Sequence, residues 1–408
     1  MAVAVAGLLV AWQVGVALRT GWAYDIGLAL RGGQLAWETG RPEDLRTWIS
    51  TPFLAAVMAL VSRVTTKSGA AVGMTLLNGV VIVTLLAVTW RRLRRELGPI
   101  PWSLSLMAAA GFAPIVSSLW WKQLNIVALA LAILGERLAQ TRRPVAAGAS
   151  TALSLAIKPI LVLVPVAMLL RRDARRAGWW TLAWGGAALG LSQVFLAWRA
   201  GDAAALSPLN AVRNFAHKSR PENLWGCHAE NFSPQSTLCR LAGPESLDTG
   251  RLVVTGGVLV LAVVVLHVVR RAEPASPTDG WLPFAFAAAL SPLFSPIAWA
   301  HYQLVLAPLL VLLVCRLAAQ RAPVAWWLAL LAAFALTQLM WRPPGSLPGA
   351  VRELLTGQPE TKEQRFAVAS VATVGQYAVI MTALATFRPR RPTPALEGPS
   401  PPDAAGRA

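Results

Sequence analysis

The amino-acid sequence predicts an all-α polytopic membrane protein with about 12 transmembrane helices, and three observations carry that prediction. Apolar residues are gathered into runs of roughly 17–25, the length that matches the hydrocarbon thickness of a bilayer. Those runs hold almost no charge, whereas a soluble enzyme of 408 residues interleaves charge every few positions. Arginine clusters punctuate the runs, as cytoplasmic loops do under the positive-inside rule. Overall composition, 55% hydrophobic with a mean hydropathy of +0.53, decides less than this arrangement, because soluble domains are also about half apolar.

Taken in order, the predicted spans are 2–18, 70–90, 101–119, 124–138, 145–157, 160–170, 178–198, 251–269, 281–297, 303–318, 323–341 and 366–387. The first run, Ala2 to Leu18, lacks the basic n-region and small-x-small cleavage site of a signal peptide and is read as a span. The clusters Arg91-Arg92 with Arg94-Arg95, Arg142-Arg143, Arg171-Arg172 with Arg175-Arg176, Arg270-Arg271, and Arg388 with Arg390-Arg391 then all fall inside. The pair of runs around Lys158-Pro159 is short for a bilayer, which fits tilted, broken or protein-buried helices. Pro52 to Val64 is apolar but only about 13 residues long. Counting it as a crossing would put Arg91 to Arg95 outside or the loop of Asp25 inside, so a re-entrant or interfacial helix is predicted near 52–64. The result is one transmembrane domain, 1–388, with outer loops 20–50, 199–250 and 342–365. A Pro- and Ala-rich tail, 389–408, is predicted disordered and cytoplasmic.

The net charge of +18, from 37 Lys and Arg against 19 Asp and Glu, does not indicate nucleic acid. The positive charge sits in short loops, and no basic patch interleaved with stacking aromatics is present. Three Cys exclude a disulfide-rich module, and no Cys/His cluster has zinc spacing. With no Asp-x-Asp pair either, neither a metal nor a cofactor is expected.

Under this topology the unusual polar residues gather on the outer face, and the inner loops are too short to hold a nucleotide-sized substrate. Nucleotide sugars are absent outside the membrane, so a transferase working there needs a donor that crosses attached to lipid. Position alone leaves each residue two readings. Asp25, beside Tyr24, is either a solvated loop acid or the base that removes an acceptor proton. Lys158 either snorkels or, because Pro159 breaks its helix, turns its amine into a cavity to meet an anionic phosphate. His301 follows the turn Ser295-Pro296-Ile297-Ala298-Trp299 and is either structural or a phosphate-binding group. Arg240 and the run Asn231 to Ser236 either bind phosphate or sugar hydroxyls or simply pack their loop. Cys227 and Cys239 lie 12 apart in an oxidising compartment, where a disulfide would staple the loop. Cys315 lies within a span as an apolar filler. Many of the 18 Trp are interfacial anchors, and ring faces also suit sugars.

In order, these motifs resemble glycosyltransferase family 87, the polyprenyl-phosphate-mannose-dependent mannosyltransferases of actinobacterial type within the GT-C superfamily. The resemblance runs from Tyr24 to about Cys315. Tyr24-Asp25 with Ala29, Gly32-Gly33 and Gly40 looks like the family's first outer loop, and Thr51-Pro52-Phe53 like its entry to the next helix with one proline replaced. Gln123-Leu124-Asn125 resembles Gly-Gln-x-Asn with Lys122 in place of Gly, and Lys158-Pro159 matches Lys-Pro. Gln235-Ser236 with Arg240 resembles Asn-Gln-Ser…Arg with Pro234 in place of Asn, and Ser295-Pro296-Ile297-x-Trp299-x-His301 is the most specific match.

The resemblance implies a GT-C fold and an inverting transfer, with Asp25 the general base and His301 in the catalytic site. Lys158 and Arg240 become donor-phosphate ligands, and Tyr24, Gln123, Asn125, Gln235, Ser236 and Trp299 substrate-binding residues. The expected partners are a polyprenyl-phosphate sugar donor, a lipid-linked glycan acceptor and membrane lipids, with no nucleic acid. Mannose is the expected sugar and arabinofuranose the alternative. A transporter of lipid-linked saccharides would show inverted repeats and midspan charges, and neither is visible.

Overall fold

The computed structural model of the protein describes residues 2–20, 23–45, 48, 50–202, 227–228, 231–243, 247–271, 278–295, 297–338 and 362–386. Among them every regular element is helical, and the one β contact is an isolated bridge between Asn231 and Trp299. The α-helices, in chain order, are α1 Ala2–Arg19, α2 Tyr24–Glu38, α3 Pro52–Val64, α4 Lys67–Glu96, α5 Pro99–Ala110, α6 Ala113–Trp120, α7 Asn125–Gln140 and α8 Pro144–Ile157. They continue as α9 Leu163–Leu170, α10 Arg175–Ala200, α11 Pro234–Ala242, α12 Leu247–Arg271, α13 Leu282–Leu290, α14 Ala307–Ala319, α15 Val324–Gln338 and α16 Lys362–Ala385.

Among the described residues, three helical stretches are each long and apolar enough to cross a membrane: Ala2–Arg19, Lys67–Arg91 and Ala300–Ala319. The pair Ala108–Trp120 and Asn125–Gln140 passes the same test together but bends by 120° at its break. Exposed leucines, valines and tryptophans cover α1, α4 and α10, as a lipid-facing surface requires. The interior is rich in small residues, with Ala6, Ala17, Ala110, Ala132, Ala139, Ala147, Ala167 and Ala177 all buried in one core. In a bilayer, where the solvent is as apolar as the side chains, close approach of helices rather than hydrophobicity drives packing, and small residues permit it. A second core joins α12 to α16 through Phe286, Leu290, Leu309, Leu313, Val379 and Ile380.

Several predicted boundaries change. The run 101–119 is two helices, α5 and α6, separated at Gly111-Phe112 with Pro114 opening the second. The run 281–297 is also broken: α13 stops at Leu290, a 3₁₀ turn carries Ser291–Phe294, and Ser295 is extended. Pro292 at the start of that turn lacks the N–H that would continue the helix. The first outer loop, 20–50, is largely the 15-residue α2. Pro52–Val64 is a helix with the predicted bounds, about 20 Å long and so short of the hydrocarbon thickness. Most of loops 199–250 and 342–365, and the whole tail 389–408, lie outside the described residues.

Two close approaches set α2 in place. A Cβ on Gly33 would lie 2.3 Å from the backbone of Met58, so α3 crosses α2 at a point only glycine permits. Gly40, at φ +69, ends α2 in the left-handed conformation and abuts the carbonyl of Leu196 in α10. Arg199 of α10 then donates to the Trp37 carbonyl and covers its ring at 4.7 Å.

Candidate active site

The site is assembled where helices begin, end or break. Asp25 lies in the first turn of α2, where a negative charge suits the helix dipole. Its Oδ2 accepts a hydrogen bond from Gln123 Nε2, contributed by the break between α6 and α7. That break is braced on all sides. Asn78 Nδ2, fully buried in α4, donates to the Gln123 carbonyl at 2.9 Å, and the Gln123 N–H donates to Ser118 O.

Lys122, at the position where the motif it resembles has glycine, adopts φ 55. The left-handed region costs a side-chain-bearing residue about 1–2 kcal/mol. Its buried Nζ donates to the carbonyls of Ala17 at 3.0 Å and Thr20 at 3.3 Å, capping the end of α1 with a positive charge. Lys122 therefore takes a backbone conformation that favours glycine and adds a tie between α1 and the break.

Lys158 follows α8 in an extended conformation, φ −152 and ψ 112, as the proline after it demands. Thr51 anchors this end: its hydroxyl caps α3 and donates to the Ala156 carbonyl. Lys158 is half-buried, with Nζ 5.4 Å from the Tyr302 ring centroid, and its charge reaches both Asp25 and His301.

His301 is the second residue of the 3₁₀ segment Ala300–Leu306 and packs edge-on to Tyr302 at 5.1 Å. Ser118 Oγ and Asn125 Nδ2 each donate to its carbonyl at 3.2 Å, tying it to the α6–α7 break. The residue is 7% exposed, and its Nε2 is buried with no hydrogen-bond partner. Asp25, Gln123, Lys158 and His301 thus come together around one point, with Asn125 behind His301. Burial pushes the Asp25 carboxyl above its ordinary value of 3.8, while the charge of Lys158 and the hydrogen bond from Gln123 pull it down.

The other expected residues form the flank. Asn231 Oδ1 accepts from Ala298 N at 2.8 Å, and His228 packs edge-on to Trp299 at 5.7 Å, so His228 and Asn231 hold the residues just before His301. Ser233 caps α11 by accepting from Ser236 N, and Pro234 occupies the first turn, where it needs no donor. Arg240 Nη1 donates to the carbonyls of His228 at 2.9 Å and Asn231 at 2.6 Å and to Ser236 Oγ, and Nη2 donates to Thr237 Oγ1. Only its Nε remains buried and unpaired, and burial pulls the guanidinium down to about 10. Ser236 is thereby committed to its own loop, whereas the buried Gln235 side chain stands one position along α11. Cys227 and Cys239 are joined as a disulfide, Cα atoms 5.5 Å apart. Tyr24 is half exposed and lines a cleft beside the site. No group of three or more His, Cys, Asp or Glu suited to a metal occurs among the described residues.

Sequence reasoning missed the supporting residues Asn78, Ser118 and Tyr302. Asn78 carried a signal, a lone amide within a run of apolar residues. Ser118 and Tyr302 carried none, since serine and tyrosine are unremarked near the ends of spans.

The apolar helical architecture, taken with the family match, is that of a membrane glycosyltransferase. The chain is a member of glycosyltransferase family 87, whose family model matches residues 48–296. The matched stretch contains Gln123, Asn125, Lys158, Gln235, Ser236 and Arg240, while Asp25 and His301 lie on either side of it. No curated protein and no solved structure matches the chain.

Proposed function

We propose that this glycosyltransferase moves mannose, with inversion, from polyprenyl-phosphate-mannose to a lipid-linked mannoside or cell-envelope polysaccharide at the outer face of the cytoplasmic membrane. The observation that carries the reading is the Asp25 carboxyl, held by Gln123 within reach of Lys158 and His301. Asp25 takes the proton of the acceptor hydroxyl as that oxygen bonds to the anomeric carbon. The bond from that carbon to the phosphate oxygen breaks on the opposite face, and the electron pair leaves with the lipid phosphate. Lys158 and the unpaired Nε2 of His301 hold the departing charge, so no strong acid is needed. Arg240, through its remaining Nε, adds positive charge from the flank. In this reading about 12 spans form one domain over 1–388, with the arginine clusters and the tail inside.

The test is transfer in vitro by the purified full-length protein, supplied separately with radiolabelled polyprenyl-phosphate-mannose and polyprenyl-phosphate-arabinofuranose, followed by linkage analysis. Mannosyl product with inverted configuration is expected, and Asp25→Asn should lower the rate about 10²–10⁴-fold, the usual contribution of a general base. Normal transfer by correctly inserted Asp25→Asn would overturn the mechanism. Transfer of arabinofuranose alone would overturn the choice of sugar.

A further inference from the structure

The chain has three cysteines, and two of them, Cys227 and Cys239, form a disulfide. The third, Cys315, is buried in α14 beside Leu97, so a reductant has one disulfide to act on. Cys239, 3% exposed, belongs to α11, which Ser233 caps and which the hydroxyl pair Thr237–Thr373 ties to α16. Cys227 immediately precedes His228, and the chain that follows grips the approach to His301. His228 packs on the Trp299 ring, Asn231 Oδ1 accepts from Ala298 N, and Phe232 N donates to Ala298 O at 2.6 Å. Asn231 is fully buried, and its Oδ1 also accepts from Ser233 N at 3.1 Å. One side-chain oxygen thus joins the cap of α11 to the backbone three residues before His301. Cys227, His228 and Asn231 themselves belong to no helix. They are held from α11, by the disulfide and by the neighbouring Arg240, whose Nη1 donates to the carbonyls of His228 and Asn231.

We propose that Cys227, Cys239 and Asn231 are positioning residues of the transfer reaction, the disulfide acting as a redox-sensitive brace that keeps His301 in its working place only in the oxidised protein. The inference rests on the transfer reaction above. The cross-link spans 12 positions and removes conformations that the reduced chain regains. With a dithiol reductant, a thiolate attacks one sulfur and the S–S bond breaks. The two cysteines take up two electrons and two protons as thiols, and the reductant leaves as a cyclic disulfide. Arg240 and its hydrogen bonds then hold the segment without covalent help. The bond from Ala298 N to Asn231 opens more often, and His301 loses its alignment. Transfer is sensitive to such shifts, since a misplacement of about 1 Å costs up to 10²-fold. An oxidising compartment, the expected setting of the outer loops, keeps the brace closed.

The test compares the full-length protein oxidised, reduced with a dithiol and reoxidised, together with Cys227→Ser/Cys239→Ser, Asn231→Ala and the three substitutions combined. Each is held well below its melting temperature. Hydrogen exchange of the Ala298 amide is followed without substrate, and kcat and donor KM are measured with it. Reduction, the Ser pair and Asn231→Ala should each speed Ala298 exchange and lower kcat about tenfold or more, with donor KM changed less. Reoxidation should restore both readouts. The triple variant should be no worse than Asn231→Ala, because both changes act through one link. A Ser pair that melts earlier but exchanges and transfers like wild type would reduce the disulfide to a stabilising staple and overturn the proposal. Losses that add in the triple variant, or exchange that quickens throughout the chain on reduction, overturn it too. If wild type transfers from neither sugar donor, the transfer reading fails, while the exchange of Ala298 still decides whether the disulfide positions the segment before His301.

Discussion

At the scale of single residues, the proposed chemistry turns on one carboxyl with three opposing influences. Burial raises the Asp25 pKa, and Lys158 and Gln123 restrain it. A base works only when ionised, so transfer should fall as pH drops through that raised value. Gln123→Leu removes a hydrogen bond that favours the ionised form, which moves the acid limb of the rate profile to higher pH. A pH–rate profile of kcat/KM for both proteins checks this, and an unmoved or lowered limb would contradict the assignment. His301 shows why residue identity alone was ambiguous. A buried histidine is usually structural, and only its unpaired Nε2 beside Lys158 separates it from that class.

At the scale of elements, every expected contact residue of the central cluster sits at a break rather than mid-helix. Asp25 begins α2, Gln123 and Asn125 flank the start of α7, Lys158 follows α8, and His301 precedes α14. Irregular backbone within a membrane protein persists only where it is buried in protein or lines a cavity, and here the freed groups are met by Asn78, Ser118 and Lys122. Lys122 makes the point testable. Lys122→Gly relieves the left-handed strain but loses the ties to α1, and Lys122→Met loses the ties and keeps the strain. Thermal melting in detergent should rank wild type above Gly and Gly above Met, the last two separated by about 1–2 kcal/mol. Melting of Met at or above Gly would show that φ 55 costs nothing here. The motif departures at Lys122 and Pro234 were legible as substitutions. Their meaning was not, because it depends on a dihedral angle and on a helix start.

At the scale of the whole molecule, the end of the bundle away from the site is locked by two buried ion pairs among the described residues. Arg171 meets the buried Glu136 at 2.7 Å and the exposed Asp173 at 2.6 Å, with Glu136 roughly 16 Å along α7 from Asn125. Arg316 of α14 meets Asp279, both almost fully buried. Removing one member of a buried pair is costly, so Arg316→Met should cost about 3–5 kcal/mol, whereas Arg316→Met with Asp279→Leu should recover most of that. Melting curves of the two variants measure the difference, and a double variant no more stable than the single one would count against the pair as the cause. The donor KM of whichever variant stays folded should match wild type, since the lock is remote from Asp25.

The sequence by itself determined that the chain is a helical membrane protein, because run length and arginine placement are one-dimensional consequences of bilayer thickness and charge. It also carried the family, through short motifs whose order survives without coordinates. Span boundaries were less legible, since a proline inside an apolar run does not say whether the helix bends or stops. Only the tertiary structure decided which polar residues meet. Asp25, Gln123, Lys158 and His301 are separated by as many as 276 positions, and nothing in hydropathy encodes which breaks face one another. That is settled by packing, where Gly33 lets α3 cross α2 and Ser118 and Asn125 draw the His301 backbone to the α6–α7 break.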